Sequence, residues 1–212
     1  MSNVVEMNEF CGVSNAGYRC WLCQKPVSGR LLFCHKCGTI QPVRNVDFFS
    51  RLGIERNLDV NIEALEHQYT ALSRTLSPER FLIRGMGERG HAAKQLEAVK
   101  EAYETLRDPL RRGRYWLALN NKASDVRNSE DDSSVVDLRQ ELNAAVMPAH
   151  CDRVAQKAGQ FLEQGVKHLM QSLRVGEWQK AMDALAQIDG VESVLDEARS
   201  KRDRLSSGGS RS

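Results

Sequence analysis

Two apolar stripes constrain the fold of this 212-residue chain most strongly. In the first stripe, apolar and aromatic residues recur at spacings of three and four: Leu65, Tyr69, Leu72 and Leu76. The second stripe repeats this spacing: Leu96, Val99, Tyr103 and Leu106. Such a period is typical of amphipathic helices, and each helix must bury its apolar face. Two of these helices joined by one loop predict an antiparallel helical hairpin.

Capping residues mark the ends of the helices in this region. Asp47 is the expected N-cap of a short first helix, and Gly53 is expected to end it. Asn61 should cap the first long helix, and Asp108, followed by Pro109, the last one. The Arg/Gly-rich stretch RGMGERG is expected to form a crossing between the two long helices. We therefore predict four helices here.

Four cysteines precede the hairpin in two CxxC pairs with ten residues between them: Cys20, Cys23, Cys34 and Cys37. Two thiolates on one tight turn can hold one side of a metal ion. Two such turns complete the closed tetrahedral shell of structural zinc. Gly38, directly after the second pair, permits the left-handed backbone of such a turn. Zinc is therefore the predicted cofactor, on a β-hairpin with strands at Gln24–Val27 and Arg30–Phe33.

The spacing of these four cysteines alone also permits chemistry other than zinc binding. Disulfides, a redox dithiol and an iron–sulfur cluster are the alternatives to zinc. Six cysteines, four of them in CxxC pairs, fit a metal in a reducing compartment better than a disulfide scaffold. Four sulfur ligands leave no open coordination position, so we expect no metal catalysis.

Apolar periodicity resumes after a polar, charged linker at 121–134 and predicts a C-terminal bundle. The first expected helix of the bundle ends before Pro148, and the next three are expected at 150–174, 177–188 and 191–205. Breaks between the last three helices are expected at Gly176 and at Asp189-Gly190. Phe161 is expected among the inward side chains of the long helix. The predicted order is a loose lead (1–19), the zinc segment (20–45), the hairpin domain (46–120), the linker (121–134), the bundle (135–205) and a disordered tail (206–212).

Composition and motifs exclude several function classes. A net charge of +2 gives no global basic field, so neither nucleic acid nor a membrane surface is an expected partner. No run reaches the roughly 18 apolar residues of a membrane span, and the first residues lack the features of a signal or transit peptide. RGMGERG lacks the flanking elements of a phosphate loop, and no serine has a nucleophile-elbow context. We therefore expect no enzyme and no catalytic residues.

The hairpin residues resemble those of a J-domain. The motifs are DFFSRLGI, A-x-x-L-x-x-V-x-x-A-Y-x-x-L-R-D-P and R-R-G-x-Y. More narrowly, the chain from Cys20 to Leu205 is similar to the HscB family of type III J-domain co-chaperones, whose eukaryotic members often carry a tetracysteine segment. The resemblance implies a mainly α fold with a small zinc-binding β-hairpin, a four-helix J-domain and a C-terminal helical bundle. It also implies the mitochondrial matrix as the compartment, with the cytoplasm as the alternative.

The resemblance further implies a chaperone-binding loop: Ser77, Pro78, Glu79, Arg80 and Phe81. In the family its first three residues are His-Pro-Asp, which stimulates the ATPase of a DnaK-type heat-shock chaperone. Here Glu79 keeps the charge on a longer side chain, and Ser77 lacks the imidazole. Two interpretations stay open, a working co-chaperone and a J-like protein that has lost the stimulation.

The bundle is implied to bind the family's iron–sulfur scaffold protein. By position, the contact residues are Val136, Asp137, Gln140 and Ala144. A core role for Val136 and Leu138 is the alternative. Two other functions stay open for the whole chain: a zinc-ribbon module whose hairpin supports protein or RNA contacts, and a pseudo-co-chaperone that binds without activating. Homo-oligomerisation is also left open.

Overall fold

The computed structural model describes residues 18–122 and 132–208. Two short strands and seven α-helices make up this part of the chain: β1 (Tyr18–Arg19), β2 (Pro26–Val27), α1 (Phe48–Leu52), α2 (Ile62–Thr75), α3 (Met86–Arg107), α4 (Pro109–Leu119), α5 (Ser133–Asn143), α6 (Pro148–Arg174) and α7 (Trp178–Gly208). A single 3₁₀ turn, Pro78–Phe81, separates α2 from α3. Within the described residues, no helix combines the length and hydropathy needed to cross a membrane. The predicted mainly α fold with a small β-hairpin is confirmed.

The chain forms two compact units, Met1–Arg111 and Arg112–Ser212, and the division falls inside α4. Most of the predicted lead, linker and tail lies outside the described residues, so these segments stay predictions. Their edges differ from the prediction. Strand β1 occupies the end of the lead, the Asp132 side chain caps α5 within the linker, and α7 continues into the tail.

The predicted pairing of the β-hairpin is wrong. β1 pairs antiparallel with β2, with Tyr18 opposite Val27. Arg30–Phe33 forms no strand, and Phe33 instead makes an isolated bridge to Ile40. Because the chain reverses at each CxxC turn, the residues that flank the same turn pair with each other. The β1–β2 pairing therefore encloses the first cysteine turn, and the Phe33–Ile40 bridge encloses the second.

The helix caps predicted in the first unit are confirmed. The Ser50 N–H donates to the Asp47 carboxylate at 2.9 Å, and Gly53 ends α1 with φ of +67°. The Ala64 N–H donates to the Asn61 side chain at 3.0 Å. A similar bond of 2.7 Å joins the Arg111 N–H to Asp108 ahead of α4. Each cap satisfies a backbone N–H that the helix cannot pair.

The two predicted stripes form the core of the helical hairpin. Leu65 and Leu76 are fully buried, as are Val99 and Leu106 of α3. The rings of Tyr69 and Tyr103 stack with their centroids 4.1 Å apart. The helix α1 adds Phe49 and Leu52, both almost completely buried.

The Arg/Gly-rich crossing was predicted wrongly, because α3 begins at Met86 inside it. Gly85 is its N-cap residue, and Gly87 and Gly90 lie in its first turns. Each glycine costs about 1 kcal/mol of helix propensity relative to alanine. Packing of the cysteine segment (20–45) against this part of α3, described below, offsets that cost.

In the second unit, α5 packs against α6 and α7 around one buried cluster: Val135, Leu138, Leu142, Ala145, Cys151, Val154, Ala158, Val191, Val194 and Ala198. Gly176, with φ of +75°, separates α6 from α7 as predicted. Phe161 is 38% exposed rather than inward, because the buried face of α6 passes through Ala158 and Gly165 instead.

The predicted break at Asp189-Gly190 is also wrong, since α7 is continuous from Trp178 to Gly208. Ile188 and Val191, on either side of the expected break, are each 1% exposed. Asp189 faces Arg114, whose guanidinium also bonds Glu192 at 2.8 Å. Burial of several apolar side chains outweighs the propensity cost of one glycine.

We predict that Gly165→Val destabilises the chain by about 1–3 kcal/mol, the usual cost of overpacking. A Cβ at Gly165 would lie 2.8 Å from Ile188 Cγ1, an atom in the middle of a branched side chain. Gly159→Val is the matched control, because nothing lies within 4 Å of a Cβ there. Urea unfolding followed by circular dichroism measures both variants. Equal stability of the two would contradict close packing at Gly165.

Candidate functional site

The four cysteines of the two CxxC pairs meet in space. Their sulfur atoms all lie within 4.8 Å of one another. Cys20 and Cys37 are 3.6 Å apart, and Cys23 and Cys34 are 3.7 Å apart. A tetrahedron of sulfurs about 2.3 Å from one zinc ion has edges of about 3.8 Å, whereas a disulfide is about 2.05 Å long. The four sulfurs therefore fit one metal shell better than disulfides, and all four cysteines are free in this structure.

Both cysteine turns have the same backbone geometry. The Gln24 N–H donates to the Cys20 carbonyl at 3.0 Å, and the Gly38 N–H donates to the Cys34 carbonyl at 2.8 Å. Gln24 has φ of +60° and Gly38 has φ of +72°. The prediction for Gly38 is confirmed. The equivalent position in the first turn was missed, because glutamine gives no sequence signal for left-handed backbone.

The surroundings of the sulfurs favour thiolates at Cys20 and Cys34 but not at Cys37. Burial raises the pKa of the Cys20 thiol, but hydrogen bonds from its own turn and from Gln41 bring that pKa down to about 6. Backbone N–H groups also lower the pKa of Cys34. The Thr39 N–H lowers the pKa of Cys37, but burial and the neighbouring sulfurs raise it to about 12. A bound cation would relieve this repulsion between sulfurs.

Two residues outside the CxxC motifs and one inside the first motif hold the cysteine segment against α3. Gln41 is fully buried, and its carbonyl accepts a 3.1 Å hydrogen bond from Gln95 of α3. The Thr39 hydroxyl donates to Glu88 of α3 at 2.8 Å. Trp21, inside the first CxxC pair, packs edge-on against His91 of α3, with the ring centroids 5.2 Å apart. Sequence reasoning missed these contacts, since no local pattern distinguishes such glutamines.

The predicted chaperone-binding loop is a short, anchored turn. Phe81 is 5% exposed and fixes the turn to the hairpin, whereas Pro78, Glu79 and Arg80 face solvent. The Ser77 hydroxyl donates to the Glu79 carboxylate. This bond lowers the pKa of Glu79 below its ordinary value, and the carboxylate itself is exposed. The serine and the glutamate thus act as a local pair, which the sequence analysis did not anticipate.

Basic residues surround this turn. Arg80 and Arg89 are exposed, and Arg84 pairs with Glu88 at 3.3 Å. A shallow groove of about 280 Å³ runs along α2, lined by Glu66, His67, Thr70, Ala71 and Arg74. The turn and this outward face of α2 belong to the same compact unit.

The four predicted scaffold-contact residues share the outward side of α5. Val136 is half-buried, and Asp137, Gln140 and Ala144 are exposed. Leu138 is 2% exposed and belongs to the core, as the alternative interpretation proposed.

A groove that the sequence analysis did not predict adjoins the end of α5. It has a volume of about 300 Å³ and is lined by Glu141, Ala144, Ala145, His150, Arg153, Val154 and Lys157. Lys157 bonds both carboxylate oxygens of Glu141 at 2.7 Å. Ala144 therefore belongs both to this groove and to the predicted contact face.

Comparison with known proteins identifies relatives over most of the chain. No family model matches it. A protein of Arabidopsis thaliana named "Iron-sulfur cluster co-chaperone protein HscB homolog" is 26% identical over 197 residues, 91% of this chain and 77% of the relative. The Homo sapiens protein named "Iron-sulfur cluster co-chaperone protein HscB" is 37% identical over 106 residues, 48% of this chain and 45% of the relative.

A solved structure has the same fold. The crystal structure of human co-chaperone protein HscB matches with a TM-score of 0.70 and 22% identity, over 87% of this chain and 98% of that one. The described part of the chain also carries the clustered cysteines ahead of the helical hairpin. In sequence and in fold, this chain is therefore similar to proteins named HscB.

Proposed function

We propose that this protein is a J-domain co-chaperone of a DnaK-type heat-shock chaperone. It would regulate the ATPase of that chaperone and deliver an iron–sulfur scaffold protein to it for cluster assembly or transfer. The observation that carries the proposal is the anchored Pro78–Phe81 turn, which presents a charged Glu79 at the tip of the hairpin. The names of the relatives support a co-chaperone role in iron–sulfur cluster biogenesis. By the family resemblance, we propose the mitochondrial matrix as the compartment, with the cytoplasm as the alternative. Fractionation of cells that produce the chain tests the compartment.

The Ser77–Glu79 pair supports a working variant of His-Pro-Asp. Glutamate places its carboxylate one methylene farther from the backbone than aspartate does. The hydrogen bond from Ser77 ties that carboxylate back across the turn. Its remaining lone pairs stay available, because Glu79 is exposed and a carboxylate accepts several hydrogen bonds. A cationic side chain of the chaperone can therefore approach it.

We expect the wild-type protein to stimulate the chaperone ATPase and Glu79→Gln to raise the half-saturating concentration at least about tenfold. The glutamine keeps the size but removes the charge, and a charge-assisted hydrogen bond contributes roughly 1.5–3 kcal/mol. Steady-state ATPase rates with and without scaffold protein provide the measurement. Glu101→Gln, at an exposed position of α3, is the matched control and should leave the rates unchanged.

The double variant Ser77→His, Glu79→Asp separates the alternative functions. If the wild type is inactive and the double variant stimulates, the chain is a pseudo-co-chaperone that has lost the switch. If neither stimulates, the co-chaperone proposal is wrong, and a zinc-ribbon binding module becomes the better description.

We propose zinc as the metal of the tetracysteine centre. Four sulfurs that lie within 4.8 Å of one another can form a closed shell, which is typical of structural zinc. The metal would stabilise the segment around Cys20 and Cys34, where few apolar side chains are buried. In this role it supplies structural free energy and no reaction chemistry.

The purified chain is expected to contain one equivalent of zinc, and Cys34→Ala to lose it. Cys11→Ser, outside the tetracysteine motif, is the control and should retain the metal. Elemental analysis measures the metal, and absorption after cobalt substitution reports tetrahedral thiolate coordination. Iron with acid-labile sulfide in place of zinc would instead indicate an iron–sulfur cluster.

We propose the outward side of α5 as the scaffold-binding surface. The double variant Asp137→Lys, Ala144→Arg changes its charge and adds bulk at two exposed positions. We expect scaffold affinity, measured by calorimetry, to fall at least about tenfold, the size typical of central interface positions. Gln164→Arg, at an exposed site on α6, is the control. Unchanged affinity in the double variant would place the scaffold contact elsewhere.

A further inference from the structure

We infer that Gln41 couples the metal centre to the first half of α3, so that zinc binding and the folding of residues 86–95 stabilise each other. The inference rests on the proposed zinc site. It goes beyond that site because it assigns a positioning role to a residue outside the cysteine motif. It also connects the metal to the helix that follows the chaperone-binding loop.

The side chain of Gln41 is hydrogen-bonded to the metal centre. Its amide nitrogen donates to the Cys20 sulfur at 3.4 Å and to the Thr39 carbonyl at 3.1 Å. Sulfur is an acceptor in the thiolate form, so this amide orientation is the one that the chemistry requires. Donors to a ligand atom orient that ligand and adjust its affinity for the metal.

The main chain of Gln41 is hydrogen-bonded to α3. Its carbonyl accepts the 3.1 Å hydrogen bond from Gln95, which is only 4% exposed. Its N–H donates to the Leu32 carbonyl at 2.8 Å. Because Gln41 is 0% exposed, water cannot replace a lost partner without rearrangement of the structure. A shift of Cys20 is therefore transmitted to Gln95 through a single residue.

Three more contacts extend the same interface toward the start of α3. Glu88 accepts from Thr39, and His91 packs on Trp21. A Cβ at Gly87 would lie 3.2 Å from the Trp21 ring, so glycine permits the close approach. Together with Gln95, these residues follow helical spacing along one side of α3. The cysteine segment thus covers the part of α3 that has the weakest helix propensity.

The first turns of α3 depend on their contacts with the cysteine segment. The residues from Met86 to His91 include two glycines, and their sequence alone predicted a loop. Without a folded metal centre, the segment loses the contacts that offset its low propensity. Residues 86–95 should then open more often, while the later turns remain held by the α2–α3 core.

Hydrogen exchange with mass spectrometry tests the coupling on the full chain. Zinc is expected to slow amide exchange of residues 86–95 at least about tenfold relative to the chelated protein. Exchange in α6 should not change. Gln95→Met should weaken zinc affinity, measured against a chelator, by roughly tenfold, since loss of outer-shell partners typically costs 10–100-fold. The exposed neighbour variant Lys94→Met is the matched control.

Gln41→Met provides a second variant, because it removes the donor to sulfur and keeps the main-chain acceptor. It should weaken zinc binding and leave the zinc-free exchange rates of residues 86–95 unchanged. If zinc slows exchange only in residues 18–41, or if Gln95→Met binds zinc as tightly as the wild type, the coupling is wrong and the metal site stands. If the wild-type chain binds no zinc, both the metal site and the coupling are wrong.

Discussion

The buried face of α3 is the constraint on which the first compact unit depends. Val99, Ala102 and Leu106 are completely buried there. Helices α1 and α2 and the 3₁₀ turn all contact α3. The cysteine segment reaches the same helix through Gln41 and Gln95. One helix therefore positions both candidate sites of this unit, the metal centre and the chaperone-binding loop.

Local signals in the sequence were sufficient for features that depend on local chemistry. The Asp47 and Asn61 caps, the left-handed Gly38 and the apolar stripes all follow from rules about neighbouring residues. The spacing of the cysteines also predicted that their sulfurs would meet. The caps and the left-handed turn cost little to form because each is stabilised within a few residues.

Features that depend on tertiary packing were not predictable in the same way. The glycines at the start of α3 suggested a loop, yet Trp21 and Thr39 hold this segment as a helix. Gly190 suggested a break in α7, but the buried side chains beside it keep the helix continuous. No local pattern distinguishes Gln41 or Gln95 from a surface glutamine. In each case a contact distant in sequence outweighs a local propensity of about 1 kcal/mol.

A contact within the folded loop explains the Ser77-Pro78-Glu79 sequence, which stands where the J-domains that this chain resembles have His-Pro-Asp. Ser77 and Glu79 are hydrogen-bonded to each other, so these two residues are best understood as a pair. An NMR titration of the labelled chain with an ATP-bound DnaK-type chaperone would test the central claim most directly. The proposed function predicts that the amide signals of Glu79, Arg80 and the outward face of α2 shift or broaden. Perturbations confined to the cysteine segment, or no perturbation at saturating chaperone, would contradict it.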